Sequence, residues 1–234
     1  MKIGLFTDSH YSSAPLTLGV RFNSQSLRKI KQAMAHFARE QCDLVVILGD
    51  VTDSEETRAQ EEENLRQIAQ VLDETGLEAV CVMGNHDADC YTPDEFYGLL
   101  GEKYRPRPIV QGGVNLVFLD ACYFKDGRHY GRGYSDWTDT FYPFVEELRG
   151  ELAGLTGNTY VFMHQNIDPA IADEHYRLHN EAELRAALEE SGKVRKVFQG
   201  HYHDGSRSCH GGIEYLTLKA MCENENAYWV MELA

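Results

Sequence analysis

Cysteine occurs in this chain without the spacing that would make it a ligand cluster. The six residues, Cys42, Cys81, Cys90, Cys122, Cys209 and Cys222, include no Cys-x-x-Cys pair, which argues against a closed structural zinc site. Cys81 and Cys122 fall in or beside apolar runs and read as small buried hydrophobes. Positive charge is scarce: Lys and Arg number 22 against 37 Asp and Glu, a formal net charge of −15. A surface that acidic repels polyanions at long range, so general nucleic-acid and anionic-membrane binders are disfavoured. No apolar run approaches a membrane span, and the opening MKIGLFTDSH is too short in its apolar part for a signal-peptide core. A cytoplasmic protein with reduced thiols and no membrane association is the expected setting. Internal repeats and low-complexity tracts are also missing.

What is there is ordinary globular composition, 43% hydrophobic and 25% charged over 234 residues. That length fits a single domain spanning 1–234 with a sizeable core. Apolar runs of strand length at 2–7, 43–48, 78–83, 114–120, 159–163 and 194–198 alternate with helix-period segments at about 24–40, 55–75, 93–101, 142–153 and 180–191. Thr92-Pro93-Asp94 and Asn180-Glu181 have the form of helix starts. The first three strands are joined by helices, which implies parallel pairing. After Gly205, the runs IEYLTLKAM and AYWVMEL around the polar CENEN predict a terminal hairpin. Residues 121–141 form the one long aperiodic segment, and loops of that length are often functional.

The ends of the apolar runs carry the chemistry. They deliver Asp8-Ser9-His10, then Gly49-Asp50-Val51-Thr52-Asp53, Gly84-Asn85-His86-Asp87, His164, and Gly200-His201-Tyr202-His203. The carboxyl edge of an α/β sheet is where ligands bind, because loops converge there while the strands stay rigid. One Asp or His in that place has a bland explanation; five groups do not. Carboxylate, imidazole and amide oxygen suit Mn, Fe, Zn or Co. A shared carboxylate can hold two ions roughly 3.5–4 Å apart and clamp a phosphoryl group. Two divalent ions bring about +4 and Asp8 with Asp50 return about −2, so a cleft in an acidic protein can still attract phosphate.

The ordered blocks DSH, GDVTD, GNHD, MHQ and GHYH resemble the pattern of the calcineurin-like metallophosphoesterases, and they span residues 8–203. Each block is weak alone; the ordered set is highly specific. The resemblance implies a four-layer α/β/β/α sandwich of two mixed sheets, and a pair of divalent or mixed-valence ions, Mn and Fe foremost, with Zn or Co as other options. It implies that Asp8, His10, Asp50 and His203 hold one metal, and that Asp50 bridges to a second completed by Asn85, His164 and His201. His86, with Asn85 as a second stabilising group, would face the phosphate, and Asp53 would pair with His86 and keep it charged. The implied reaction is hydrolysis of a small phosphate ester, diester or pyrophosphate through in-line attack by a hydroxide bridging the ions. The stretches RFNSQSLRKIKQA, LDA, LHNEAELRAAL and GIEYLTLKAM are similar to the manganese-dependent ADP-ribose/CDP-alcohol diphosphatases. That likeness implies a nucleotide-derived substrate, but this chain is shorter than those enzymes and the missing length would lie in loops that shape substrate choice.

Other readings stand beside these. Asp53 could instead cap a helix starting near residue 54, and Asp87 reads as a structural turn residue. His36, His129, His175, His179 and His210 match no block and read as surface or packing residues, with His129 and His175 as outside candidates for lining the cleft. In the 121–141 loop, Tyr123, Tyr130, Tyr134 and Trp137 with Arg128 and Arg132 either hold a leaving group or pack on the sandwich edge. A catalytically silent interaction scaffold on the same fold is disfavoured because the ligand set is intact. A DNA nuclease of the same superfamily is disfavoured by charge. A β-lactamase-like site fails on spacing, since Asp204 follows His203 directly.

Overall fold

Alternation of side chains along each strand decides how the layers stack. The computed structural model describes residues 1–131 and 142–234. Strand β1 (Lys2–Phe6) leads through helix α1 (Ser26–Arg39) to β2 (Leu44–Leu48), then through α2 (Arg58–Glu74) to β3 (Ala79–Val82). Helices α3 (Asn85–Cys90) and α4 (Pro93–Leu100) follow, then β4 (Ile109–Gln111), β5 (Val114–Leu119), α5 (Val145–Gly154) and β6 (Asn158–Met163). The chain finishes with α6 (Glu181–Ser191), β7 (Val194–Gln199), β8 (Ser206–His210), β9 (Ile213–Thr217) and β10 (Trp229–Glu232).

Two mixed sheets result, one in the order β10-β1-β2-β3 and the other β4-β5-β6-β7-β9-β8. Ile3, Leu5, Val46, Leu48 and Val80 from the first meet Leu116, Tyr160, Phe162 and Phe198 from the second in one apolar layer. The intervening residues, such as Val45, Ile47, Cys81, Val117, Val161 and Val197, turn outward to the helices. Each fully buried side chain of this kind contributes roughly 1.5–3 kcal/mol. Helices α1, α2 and α4 neighbour one another beside the first sheet, and α5 and α6 pair beside the second. The architecture is therefore the four-layer α/β/β/α sandwich. Gly4 illustrates the fit of α1: a Cβ there would lie 2.6 Å from the Phe37 ring.

Local signals set the helix ends. Thr92 forms a capping box with Glu95, with Pro93 in the first turn of α4. Thr57, not Asp53, caps α2 by accepting from the Gln60 N–H, so the helix-cap reading of Asp53 falls. Among the described residues no helix is long and apolar enough to cross a membrane.

The expected terminal hairpin is wrong. IEYLTLKAM contains β9, which pairs with β7 and β8, whereas AYWVMEL contains β10, which crosses to the other sheet and runs antiparallel to β1. The true hairpin joins β8 to β9 through Gly211-Gly212, both with positive φ (57° and 79°). A second Gly-Gly, Gly112-Gly113 with φ of 60° and 83°, joins β4 to β5 in the same way. Both pairs are the expected chemistry of a two-residue hairpin loop, and that signal points to β4 and β8, which periodicity alone misses.

Candidate metal centre

The parallel strands β1, β2 and β3 of one sheet and β6 and β7 of the other end at the same rim, and their following residues interlock. Asp8 N–H donates to the Gly49 carbonyl at 3.1 Å, His10 N–H to that of Asp50 at 2.9 Å, and Gly200 N–H to that of His164 at 2.9 Å. The sheets are also tied across the gap: His201 N–H donates to Asp8 Oδ2 at 3.1 Å, and His164 Nδ1 lies 2.6 Å from the Leu48 carbonyl.

Glycine at three block starts is explained by this crowding. A Cβ on Gly49 would sit 2.6 Å from the Gly84 nitrogen, one on Gly84 2.2 Å from Asp50 Oδ1, and one on Gly200 2.1 Å from Thr7 Oγ1. Backbone strain gathers here too. Of the seven non-glycine residues with positive φ among those described, four are Asp8 (51°), His10 (44°), Asp50 (50°) and His201 (66°). Such conformations cost on the order of 1–3 kcal/mol each and persist where surrounding structure enforces them.

The predicted donors fall into two sets. One nitrogen or oxygen from each of Asp8, His10 and His203 lies within 4.8 Å of the others, as does one from each of Asp50, His164 and His201. His201 and His203, two apart in sequence, thus turn to different sets. Asp50 Oδ2 links them, 3.5 Å from His10 Nε2 and 3.2 Å from His164 Nε2. Asn85 Oδ1 lies 3.1 Å from His164 Nε2. His86 also reaches the centre, in a third group with His10 and Asp50. Its Nδ1 is on Asp53 Oδ1 at 3.0 Å, and its side chain is 20% exposed while those of Asp8 and His10 are fully buried.

The donors fit a pair of cations. Asp8 Oδ2 accepts from the Thr7 hydroxyl at 2.6 Å, but Asp8 Oδ1 is buried with no hydrogen-bond donor. A buried carboxylate oxygen left so is costly unless a cation faces it. The oxygen and nitrogen donors, without thiolate, match first-row divalent ions.

Charges in the site alternate. Burial pushes the Asp8 carboxyl up, but the His164 charge and the nearby imidazoles of His10 and His203 hold it well below the usual range. Asp50 is likewise held low against burial by the charges of His164 and His86. Against burial, the close carboxylates of Asp53 and Asp8 raise His10 to about 9, and the charges of Asp50 and Asp8 raise His164 to about 9. Burial and the His164 charge lower His201 to about 3. Cations would therefore displace protons from His10 and His164 on binding.

Asp53 does more than the sequence implies. Besides His86 it faces His10 Nδ1 at 3.6 Å, Arg21 Nη1 at 3.7 Å and Asn23 Nδ2 at 3.3 Å. Asp87 holds the turn, as read: it accepts from the backbone N–H groups of Val51, Thr52 and Gly84 at 3.0, 3.2 and 3.0 Å. Burial and the charge of Asp50 raise its carboxyl to about 7. Glu223 sits in the polar CENEN turn, to which the sequence assigns no chemistry, yet its Oε1 lies 2.5 Å from His203 Nδ1. Tyr176, also missed, packs edge-on to His201 at 5.4 Å. No periodicity marks either residue, because both lie on connections between elements.

The remaining histidines have local partners. His129 is held by Asp120 Oδ2 at 3.1 Å and the Tyr130 carbonyl at 2.6 Å. His36 packs on Tyr228, His175 on Tyr176, His179 on Tyr142 and His210 on Tyr215. In the long loop, Tyr130 is buried and Tyr123 packs on Phe144; Arg132, Tyr134 and Trp137 lie outside the described residues.

Comparison with known proteins gives a consistent picture. A family model for calcineurin-like phosphoesterases matches residues 1–205. A Psychrobacter arcticus protein named "Probable cyclic nucleotide phosphodiesterase" is 24% identical over 199 residues, 82% of this chain and 67% of its own. The Danio rerio protein named serine/threonine-protein phosphatase CPPED1 is 25% identical over 190 residues, 76% of this chain and 59% of its own length. The crystal structure of a dimetal phosphatase from Danio rerio superposes with a TM-score of 0.82 at 19% identity, covering 99% of this chain and 92% of that one.

Proposed function

The chain belongs to the calcineurin-like phosphoesterase family, and from that premise we propose that it hydrolyses a small phosphate ester, diester or pyrophosphate at a two-ion centre. The observation that carries this reading is Asp50 Oδ2, one buried oxygen facing both donor sets. Asp8, His10, Asp50 and His203 would hold one ion, and Asp50, Asn85, His164 and His201 the other. Manganese and iron suit this mixture of carboxylate, imidazole and amide donors.

When bound, the ions supply Lewis acidity and ionise water at neutral pH. The chain's own residues do the rest. Asn85 Nδ2, buried with no hydrogen-bond partner, is a donor for a phosphoryl oxygen as charge builds on it. Asp53 accepts the Nδ1 proton of His86, leaving Nε2 to face the cleft and hand its proton to the leaving oxygen. Asp53 in turn is fixed by Arg21 and Asn23.

The relatives named as a phosphodiesterase and a phosphatase support a small phosphorylated substrate; a nucleotide-derived one accords with the finer sequence likeness. Residues 1–234 act as one domain, supported by β10 pairing with β1 so that the two ends of the chain share a sheet. Free cysteines, five of them buried, support a reducing, cytoplasmic setting. The test is turnover of bis(p-nitrophenyl) phosphate, a monoester, a cyclic nucleotide and ADP-ribose with Mn²⁺. Hydrolysis of at least one, abolished by chelator and restored by metal, is expected; inertness toward all four with bound metal would refute the proposal.

A further inference from the structure

The turn between β9 and β10 is built around one buried ammonium. Lys29, on α1 and only 3% exposed, donates from Nζ to the carbonyls of Met221 at 2.9 Å, Cys222 at 3.2 Å and Asn224 at 3.3 Å. Three acceptors match the three donors of an ammonium, so the backbone on both sides of residue 223 is fixed. The same turn is stitched to the end of β1: Met221 N–H donates to the Thr7 carbonyl at 3.1 Å and Cys222 N–H to that of Asp8 at 2.9 Å. Residue 223 is thereby held at a set distance from the Asp8 donor set.

From that position Glu223 Oε1 lies 2.5 Å from His203 Nδ1. The other ring nitrogen, His203 Nε2, is 3.3 Å from both Asp8 Oδ1 and His10 Nε2. A metal ligand must be a neutral imidazole, and a neutral ring that donates its Nδ1 proton carries its lone pair on Nε2, which is the atom turned to the donor set. His164 has a neutral backbone carbonyl in the equivalent role; His203 has a carboxylate, which raises the basicity of the ring as well as orienting it.

We infer that Glu223 is a positioning residue for one of the two ions: it fixes the tautomer, orientation and basicity of His203, and Lys29 fixes Glu223. This rests on the two-ion reading above. Its distinctive consequence is asymmetry, because His203 belongs to the donor set of Asp8 and His10, whereas His164 and His201 form the other set with Asp50.

The experiment is a titration of the metal-free protein with Mn²⁺, followed by calorimetry and electron paramagnetic resonance. Wild type is expected to take up two ions and show a spin-coupled pair. Glu223→Ala should bind one ion with wild-type affinity and the other about 10–100-fold more weakly, with an uncoupled single-ion signal at intermediate metal. Glu223→Gln, which keeps an acceptor oxygen without the charge, should recover part of that loss and carries the test if the alanine variant does not fold. Glu232→Ala, at an exposed position on β10, should match wild type. A coupled pair of wild-type affinity in Glu223→Ala overturns the role of Glu223. Equal weakening of both ions together with a lower melting temperature of the metal-free protein also overturns it, since that marks a merely structural turn. A wild-type chain that takes up no pair of ions overturns the two-ion reading itself, and this inference with it.

Discussion

Gly200→Ala tests how tightly the rim is packed. The φ of Gly200 lies outside the left-handed range, so the backbone tolerates alanine and only space opposes it. The new methyl would stand 2.1 Å from Thr7 Oγ1, 2.8 Å from Asp8 Oδ2 and 3.1 Å from the Leu48 carbonyl. Thr7 cannot simply rotate away, because its hydroxyl binds both Asp8 Oδ2 at 2.6 Å and the Leu48 carbonyl at 2.9 Å. Overpacking of this kind costs roughly 1–3 kcal/mol, and losing a hydrogen bond to a buried carboxylate roughly 1.5–3 kcal/mol. The sum, about 2.5–6 kcal/mol, lowers the melting temperature by about 5–24 °C in a chain of this size. The assay is thermal denaturation of metal-free protein by circular dichroism, so that altered metal affinity does not enter. Gly98→Ala is the control: it lies in α4 with nothing within 4 Å of its Cβ position, and should stabilise by roughly 0.5–1 kcal/mol. A Gly200→Ala melting point within about 2 °C of wild type would refute the reasoning.

Asp50→Asn should abolish turnover of bis(p-nitrophenyl) phosphate with Mn²⁺, and full activity in steady-state assays would end its assignment as the bridge. His86→Ala should lower kcat by roughly 10²–10⁴-fold while leaving two ions bound, as metal analysis of the purified variant would reveal. Lys29→Met strips the donors from the carbonyls of Met221, Cys222 and Asn224; at roughly 1–3 kcal/mol for a buried group left unpaired, urea denaturation should find a loss of at least about 2 kcal/mol. The hydrogen bond and charge of Asp120 raise the pKa of His129 above its ordinary 6.5 even though burial, the largest influence, lowers it. The stabilisation from this pair is therefore complete below pH 6.5 and disappears as pH climbs through the raised value. The stability gap between wild type and Asp120→Asn should shrink over that window in a pH series of urea melts.

The parts of the fold legible in the sequence are those governed by a single period. The runs at β1, β2, β3, β5, β6 and β7 are apolar on both faces because helices cover one side and the opposite sheet the other, so they stand out even without alternation. The donors at their ends were legible for the same reason, each marking where an apolar run stops. AYWVMEL misled because a strand's pattern records burial and carries no information about its partner; only tertiary packing sends β10 to β1. Glu223 and Asn23 were illegible because their task depends on a neighbour 20 residues away in the first case and 30 in the second. Asp53 was half legible: its tie to His86 follows from the block pattern, whereas its approach to His10 depends on how the β1 and β2 loops interlace.

The four donors in left-handed conformation carry a further implication. At Asp8, His10, Asp50 and His201 a glycine would sit more comfortably than the residue needed for chemistry, so the rim is a place where durability and activity pull apart. Variants selected for heat resistance alone should drift toward small, inert residues at those positions, surviving longer and doing nothing.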